Sequence, residues 1–194
     1  DRFAPRKSPH QTMKNDRVRE ILSRFADCTL VVLGDFMLDH FIWGTVRRIS
    51  PEAPVPVVDV GRESYHLGGA GNVVANVVAL GARVIPVAII GEDWAGAEIR
   101  RHLNALGVRC AALICDHVRP TTLKTRIVAH NQQVVRADRE DRSAIDAELE
   151  ESVIGHFNDA LSEAEAVVIS DYDKGLLTPH VLDRVLAAAR ERGK

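Results

Sequence analysis

Aromatic residues, cysteines and long apolar runs are all scarce in this chain. Phe, Trp and Tyr make up 5% of the 194 residues, so a core must be built mainly from Val, Leu, Ile and Ala. The three cysteines, Cys28, Cys110 and Cys115, are odd in number and lack the spacing of a metal site or of a CxxC redox pair. We therefore expect reduced, mostly buried thiols rather than disulfides.

The net charge is only −2, which excludes the strongly basic surface typical of proteins that bind nucleic acid or an anionic membrane. No apolar stretch approaches the length of a membrane span, and the polar residues 1–19 contain no apolar signal-peptide segment. We therefore expect a cytoplasmic protein with no nucleic-acid partner and no membrane partner. Hydrophobic residues make up 46% and charged residues 27%, as in ordinary globular proteins.

Apolar strands and amphipathic helices alternate along most of the chain. Continuous apolar runs at residues 29–33, 84–90 and 166–169 are typical of parallel strands covered on both faces. Apolar residues at helical spacing separate these runs. The alternation predicts an α/β fold with a doubly wound parallel sheet, formed by residues 29–194.

Local signals predict where individual helices begin. Thr178-Pro179 combines a hydroxyl cap with proline at the first helical position. Ser143 can cap the helix whose apolar face runs from Leu149 to Leu161. The position of Asp93 indicates a helix cap rather than a catalytic residue. Residues 1–28 are predicted to be an arm that ends in a short helix over Arg17–Phe25.

Two segments, residues 40–60 and 121–137, depart from the alternation of strand and helix. Both are rich in β-branched residues, and His130-Asn131 reads as a turn within the second. Pro56 cannot donate to a strand ladder, so its strand must be an edge or contain a bulge. These segments predict a small β lid separate from the main sheet.

Polar residues follow three of the predicted strands, where open α/β sheets bind their ligands. Asp35 and Asp39 follow the first, Glu92-Asp93 the second and Asp171–Lys174 the third, while Gly68–Asn72 precedes a helix whose amino terminus favours a polar or anionic ligand. Each has an ordinary alternative. Aspartates after strands are often turn or cap residues, small residues allow close packing, and lysines and arginines are usually solvated surface charges. These residues alone predict a ligand-binding α/β domain.

Taken together, the motifs resemble the ribokinase-like (PfkB) family of carbohydrate kinases, from about residue 29 onward. The run Gly68-Gly69-Ala70-Gly71-Asn72 is similar to the family's amino-terminal signature, and Leu33–Asp39 is similar to its sugar-contacting first turn. Longer strings most resemble the members that phosphorylate D-glycero-D-manno-heptose 7-phosphate at O1. These strings are Gly34–Asp39, Arg48–Val58, Pro120–Arg126, Asn131–Gln133 and Ser170–Gly175.

The resemblance implies a phosphorylated sugar and ATP as substrates, with Mg²⁺ as the cofactor ion. It implies that the β lid closes over the sugar and joins two copies as a homodimer. Lys124, Arg126 and Lys174 become candidates for the phosphate that the substrate already carries. The implied substrate-binding residues are Asp35, Asp39, Gly68, Gly69, Asn72, Lys124, Arg126, Asp171 and Lys174.

One element of the family pattern is missing from the 194 residues. The family's catalytic base is an aspartate in a Gly-Ala-Gly-Asp motif, and the chain contains no such motif. We therefore expect the base and most of the ATP site beyond Lys194, a sheet that continues past this point, and no kinase activity from the 194-residue chain alone. Two alternatives stay open: a kinase for another sugar or a nucleoside, and a non-catalytic ligand-binding or dimerisation module.

Overall fold

The computed structural model describes residues 15–194, which form two four-stranded sheets and five α-helices. Sheet A consists of β1 (Thr29–Gly34), β4 (Arg83–Gly91), β5 (Leu113–Asp116) and β8 (Ala166–Ser170). Sheet B consists of β2 (Phe36–Ile49), β3 (Pro56–Gly69), β6 (Thr122–Ala129) and β7 (Gln132–Arg139). The helices are α1 (Asn15–Ser23), α2 (Ala70–Ala79), α3 (Trp94–Ala105), α4 (Ala147–Ser162) and α5 (Pro179–Glu191).

Sheet A is fully parallel, with strand order β5-β4-β1-β8. On one face, Val31 and Leu33 belong to a core that includes residues of α4 and α5. On the other face, Val32 packs in a second core with residues of α2 and α3. Helices thus cover both faces, which explains the continuous apolar runs and confirms the doubly wound α/β sheet.

Two of the three predicted helix caps are confirmed. The Asp93 carboxylate accepts a hydrogen bond from the Gly96 amide at 2.9 Å, and the Thr178 hydroxyl accepts one from the Val181 amide at 3.2 Å. The prediction for Ser143 is wrong, because α4 begins three residues later than expected and Asp146 caps it. The Ser143 hydroxyl instead donates to the Asp141 carboxylate at 2.6 Å.

The amino-terminal part of the predicted arm, residues 1–14, lies outside the described residues. The helix expected over Arg17–Phe25 is present two residues earlier as α1, and a short 3₁₀ turn, Phe25–Asp27, follows it. Among residues 15–194, no helix is both long enough and apolar enough to cross a membrane. The three cysteines are free, but Cys115 is exposed on the edge strand β5, so the expectation of mostly buried thiols is wrong.

Sheet B contains both segments that were predicted to form the β lid, but its strands extend beyond them. Its strand order is β3-β2-β6-β7, with β2 parallel to β6 and antiparallel to β3. Pro56 begins the edge strand β3, where its missing N–H costs no ladder bond. His130 and Asn131 have φ values of 49° and 62°, as a two-residue hairpin turn between twisted strands requires.

Four chain segments connect sheet B with sheet A or with the helices that cover sheet A. β1 runs into β2 through Asp35, and β3 runs directly into α2. Residues 117–121 lead from β5 to β6, and residues 140–146 lead from β7 to α4. The candidate site residues lie on or beside these connections.

Candidate functional site

Asp35 lies between β1 and β2 and is 4% exposed. Its carboxylate Oδ2 accepts hydrogen bonds from the backbone amides of Tyr172, at 2.8 Å, and Lys174, at 3.2 Å. Its backbone carbonyl accepts from the amide of Ala70, the first residue of α2, at 2.9 Å. One aspartate therefore joins the ends of β1 and β8 to the start of α2.

Burial raises the pKa of the Asp35 carboxyl above its ordinary value, and the amides of Tyr172 and Lys174 offset part of that rise. The negative charge of Asp171 adds to the rise. A turn-forming aspartate accepts from an amide about two residues further along, whereas these two amides are 137 and 139 residues away, so Asp35 is not a local turn residue. The contacts of Asp35 therefore anchor the loop that follows β8.

Asp39 lies within β2 and is partly buried, like the residue it pairs with. Its Oδ1 lies 2.5 Å from Nη1 of Arg126 on β6, and both side chains are 22% exposed. A hydrogen bond between a guanidinium and a carboxylate is assisted by both charges, and it is stronger than a hydrogen bond between neutral groups. Asp39 is thus neither a turn residue nor a helix cap.

Gly68, on β3, lies directly beside the Asp39 carboxylate. A Cβ atom at residue 68 would lie 2.5 Å from Asp39 Oδ2 and 2.8 Å from Met37 Cγ. Real Cβ atoms do not approach other atoms so closely, so any side chain here would displace the carboxylate. The glycine therefore leaves open the space that Asp39 occupies.

The turn from β3 into α2 contains the other glycine of the predicted site. Gly69 has φ of 54° and ψ of −133°, a conformation that favours glycine, and a Cβ atom there would lie 2.4 Å from the Asp35 carbonyl oxygen. Asn72 follows in the first turn of α2 and is exposed. This places Asn72 near a helix amino terminus, where free backbone N–H groups favour a polar ligand.

Lys124 and Lys174 converge on one carboxylate, that of Glu140. The Glu140 Oε2 atom lies 3.1 Å from Lys174 Nζ and 3.5 Å from Lys124 Nζ. The side chains of Lys174, Glu140 and Lys124 are 9%, 12% and 14% exposed, so these are not solvated surface charges. Asp138 contacts Lys124 as well, at 3.1 Å.

The positive charges around Glu140 lower the pKa of its carboxyl group strongly. Burial by itself would raise the pKa of Glu140, but hydrogen bonds from Lys174 and Arg142 and the positive charge of Lys124 lower the pKa to about 2. Glu140 is therefore ionised throughout the neutral range and holds the two lysines together. We call Lys124, Glu140 and Lys174 the lysine cluster.

The strand register of sheet B places Lys124, a member of the lysine cluster, on the same face as the Asp39–Arg126 pair. Asp39 is the register partner of Lys124, and Arg126 lies two residues further along the same strand. Side chains alternate along strands, so these three share a face, whereas Leu38 points to the opposite face and is buried in the core. One face of sheet B is packed on the domain, and the other carries the charges.

Asp171, the remaining predicted site residue, is exposed in the loop after β8. Its Oδ1 accepts a hydrogen bond from the Asp173 amide at 2.8 Å, and Asp173 has φ of 58°. Asp171 thus shapes a turn, and its charge acts on Asp35 through space.

The sequence did not reveal Glu140 or Arg119 as members of the site. Glu140 lies in a run of five charged residues of both signs, Asp138–Arg142, which is typical of solvated surface. Arg119 lies in an irregular connection, yet its guanidinium donates to the carbonyls of Asp141, Ser143 and Lys174. Only the pairing of β6 with β2 and β7 brings these residues to the end of β8.

The site is built from hydrogen bonds and ion pairs. Among residues 15–194, no group of three or more His, Cys, Asp or Glu side chains is arranged to hold a metal ion. The described part of the chain brings together a paired carboxylate, a helix start and three partly buried cations.

Comparisons with solved structures find the same fold. The ribokinase of Arabidopsis thaliana, solved with ribose and ATP, is 17% identical with a TM-score of 0.60, and the match covers 86% of this chain and 51% of that one. The ribokinase of Giardia lamblia is 18% identical with a TM-score of 0.62, covering 86% and 52%. At this identity, the likeness establishes the ribokinase-like fold alone.

Comparisons with curated proteins find much closer sequences. The bifunctional protein HldE of Wolinella succinogenes is 49% identical over 170 residues, 88% of this chain and 36% of that protein. The HldE of Geotalea uraniireducens is 45% identical over 181 residues, 93% of this chain and 37% of that protein. The chain thus spans just over a third of the length of these relatives.

The pfkB family carbohydrate kinase model matches residues 29–194, which include every residue of the site described above. The match begins at β1 and leaves out only α1 and the residues around it. With this match and the curated relatives, the chain belongs to the pfkB family of carbohydrate kinases.

Proposed function

We propose that the natural protein is an ATP-dependent sugar kinase that phosphorylates D-glycero-D-manno-heptose 7-phosphate at O1. The support is the family, the 44–49% identity to proteins named bifunctional protein HldE, and the resemblance of the strings around the site to heptose 7-phosphate kinases. The observation that supports the substrate class is the grouping of three cations near Asp39. Lys124 and Arg126 share its face of sheet B, and Lys174 meets Lys124 at Glu140. A neutral sugar would not need these cations.

In this proposal Asp39 receives hydrogen bonds from sugar hydroxyls. A carboxylate accepts from two neighbouring hydroxyls with defined geometry, and the contact with Arg126 keeps the Asp39 carboxylate oriented. Gly68 leaves the space that the Asp39 carboxylate occupies, and Gly69 and Asn72 supply polar groups at the start of α2. Asp35 contributes by holding the neighbouring loop, with Asp171 shaping that loop.

The substrate's phosphate would bind at the lysine cluster and Arg126. Lys124 and Lys174 are already held close together by Glu140, so little conformational entropy is lost when an anion binds. ATP and Mg²⁺ would supply the phosphoryl group and neutralise its charge, and phosphoryl transfer would rest on positioning and electrostatic stabilisation. The base that deprotonates O1 would lie in a part of the natural protein outside these 194 residues.

Sheet B would act as the β lid and as the contact between two copies. Its strands or their connections expose Ile49, Val60 and Val135 at 60%, 56% and 48%. Phe41 stacks on Trp43 at 5.8 Å on the charged face of the sheet. So many apolar side chains on an outlying sheet favour a homodimer interface.

The kinase proposal is tested by a panel of acceptors with the natural protein at its full length. ADP formation should be much faster with heptose 7-phosphate than with the unphosphorylated heptose, ribose or fructose 6-phosphate. Equal rates with neutral sugars would overturn the substrate class. No ADP formation with any acceptor would favour a non-catalytic binding module.

The role of Asp39 is tested in the same assay with Asp39→Asn, which keeps the shape and removes the charge. A charge-assisted hydrogen bond contributes about 1.5–3 kcal/mol, so kcat/KM for the sugar should fall by about one to two decades. The KM for ATP should stay unchanged. Asp59→Asn, at an exposed position of β3, is the matched control. Normal sugar kinetics with a lowered melting temperature would show that Asp39 only stabilises the sheet.

A further inference from the structure

Arg119 lies in the connection that leads from sheet A to sheet B, and its side chain is 13% exposed. Its Nη1 donates to the carbonyl oxygens of Asp141, at 3.0 Å, and Lys174, at 3.1 Å, and its Nη2 donates to that of Ser143, at 2.6 Å. The nearest carboxylate oxygen, Oδ2 of Asp116, is 3.8 Å away. The guanidinium is therefore held mainly by backbone carbonyls.

These carbonyls belong to two segments that carry opposite halves of the lysine cluster. Asp141 directly follows Glu140, and Lys174 is the residue whose ammonium contacts Glu140 at 3.1 Å. The two segments are packed tightly, because a Cβ atom at Gly175 would lie closer than 2 Å to the Ser143 carbonyl oxygen. Arg119 thus joins the backbone on both sides of the Lys174–Glu140 ion pair.

The backbone of Lys174 is held at both of its polar atoms. Its amide donates to Asp35, and its carbonyl accepts from Arg119. The planar guanidinium can hold carbonyls from two segments at a defined distance, which an ammonium on a flexible stem cannot do equally well. Only the Lys174 side chain remains to adjust to a ligand.

The Nε atom of Arg119 is buried and has no hydrogen-bond partner among the described residues. A buried donor without a partner carries an energetic cost. We propose that Arg119 is a positioning residue that fixes where Lys174 presents its ammonium group to the substrate's phosphate. This inference rests on the proposed phosphate-binding role of Lys174.

The test is a double-mutant cycle with Arg119→Met and Lys174→Met in the natural full-length protein. Arg119→Met should raise the KM for the sugar phosphate about tenfold while the KM for ATP stays unchanged. In the Lys174→Met background, Arg119→Met should raise the sugar KM no further, because the ammonium that it positions is already gone. Additive effects on KM would overturn the proposal.

Arg100→Met is the matched control, because Arg100 also donates to backbone carbonyls, those of Cys110 and Leu113, but lies on α3. It should lower the melting temperature without changing either KM. Arg119→Lys keeps the charge and serves if Arg119→Met does not fold. It should raise the sugar KM like the Met variant, and a wild-type KM would overturn the proposal.

The sugar KM values of the two single variants distinguish a failure of this inference from a failure of the proposed phosphate site. If Lys174→Met raises the sugar KM but Arg119→Met does not, the positioning role is wrong and the phosphate site stands. If Lys174→Met leaves the sugar KM unchanged, the phosphate role of Lys174 is wrong. The positioning role of Arg119 would then fail as well, because Arg119 would have no ammonium to present to the phosphate, while the acceptor panel would still decide the substrate class.

Discussion

Replacing Glu140 with Gln should destabilise the folded chain in a pH-dependent way. The pKa of Glu140 is lowered from its ordinary value of 4.5 to about 2 by Lys174, Arg142 and Lys124 acting against burial. A shift of that size corresponds to about 3 kcal/mol at neutral pH, because one pKa unit is worth about 1.4 kcal/mol. Solvent still reaches 12% of the Glu140 side chain and screens its charge, so we expect Glu140→Gln to cost about 1–2 kcal/mol.

The sign of the pH dependence follows from the direction of the shift. A carboxylate with a lowered pKa stabilises the folded state fully above its unfolded pKa, and this stabilisation is lost as the pH falls through the folded pKa. The difference between wild type and Glu140→Gln should therefore be constant above about pH 5 and shrink between pH 4.5 and about 2.

Urea unfolding of the 194-residue chain, followed by circular dichroism at pH 7 and pH 3, measures this difference. Glu52→Gln is the matched control, because Glu52 is exposed in the loop between β2 and β3. The control should match wild type at both pH values. A Glu140→Gln deficit that is equally large at pH 3 would mean that Glu140 contributes through packing, and the charge argument would be wrong.

Two further predictions concern sheet B. Gly68→Ala should raise the sugar KM of the natural protein about tenfold and cost about 1–3 kcal/mol, because the added methyl displaces the Asp39 carboxylate. Gly155→Ala, in an open position of α4, should instead stabilise by about 0.5–1 kcal/mol with normal kinetics, and equal kinetics for both variants would remove Gly68 from the site. Trp43→Glu should convert the proposed dimer to monomer in sedimentation velocity. An unchanged dimer would place the interface elsewhere.

The layers of the fold could be predicted from the sequence because they depend on local patterns. The buried strands of sheet A are continuous apolar runs, and the caps at Asp93 and Thr178 lie at the helix starts that they predict. The cap of α4 could not be chosen by the same rule, since both Ser143 and Asp146 are good caps. Asp141 decides the choice by binding the Ser143 hydroxyl.

The contacts within the site could not be predicted, because they join residues far apart in the chain. Asp39 and Arg126 are 87 residues apart, and the pair exists only because β2 and β6 are neighbours in a particular register. The spacing of residues did not identify Lys124, Arg126 and Lys174; they became candidates only through the family resemblance. Neither the spacing nor the resemblance indicated that Glu140 would hold two of them.

The parallel pairing of β2 with β6 has a consequence for how the chain folds during its synthesis on the ribosome. β2 is complete at Ile49, but its partner begins at Thr122, so one edge of β2 stays unpaired while the intervening residues are made. At about 5–20 residues per second, that interval lasts roughly 4–15 seconds. During this time the β2–β3 hairpin offers a free edge to other nascent chains, and chaperones that shield such edges should matter most at this stage of synthesis.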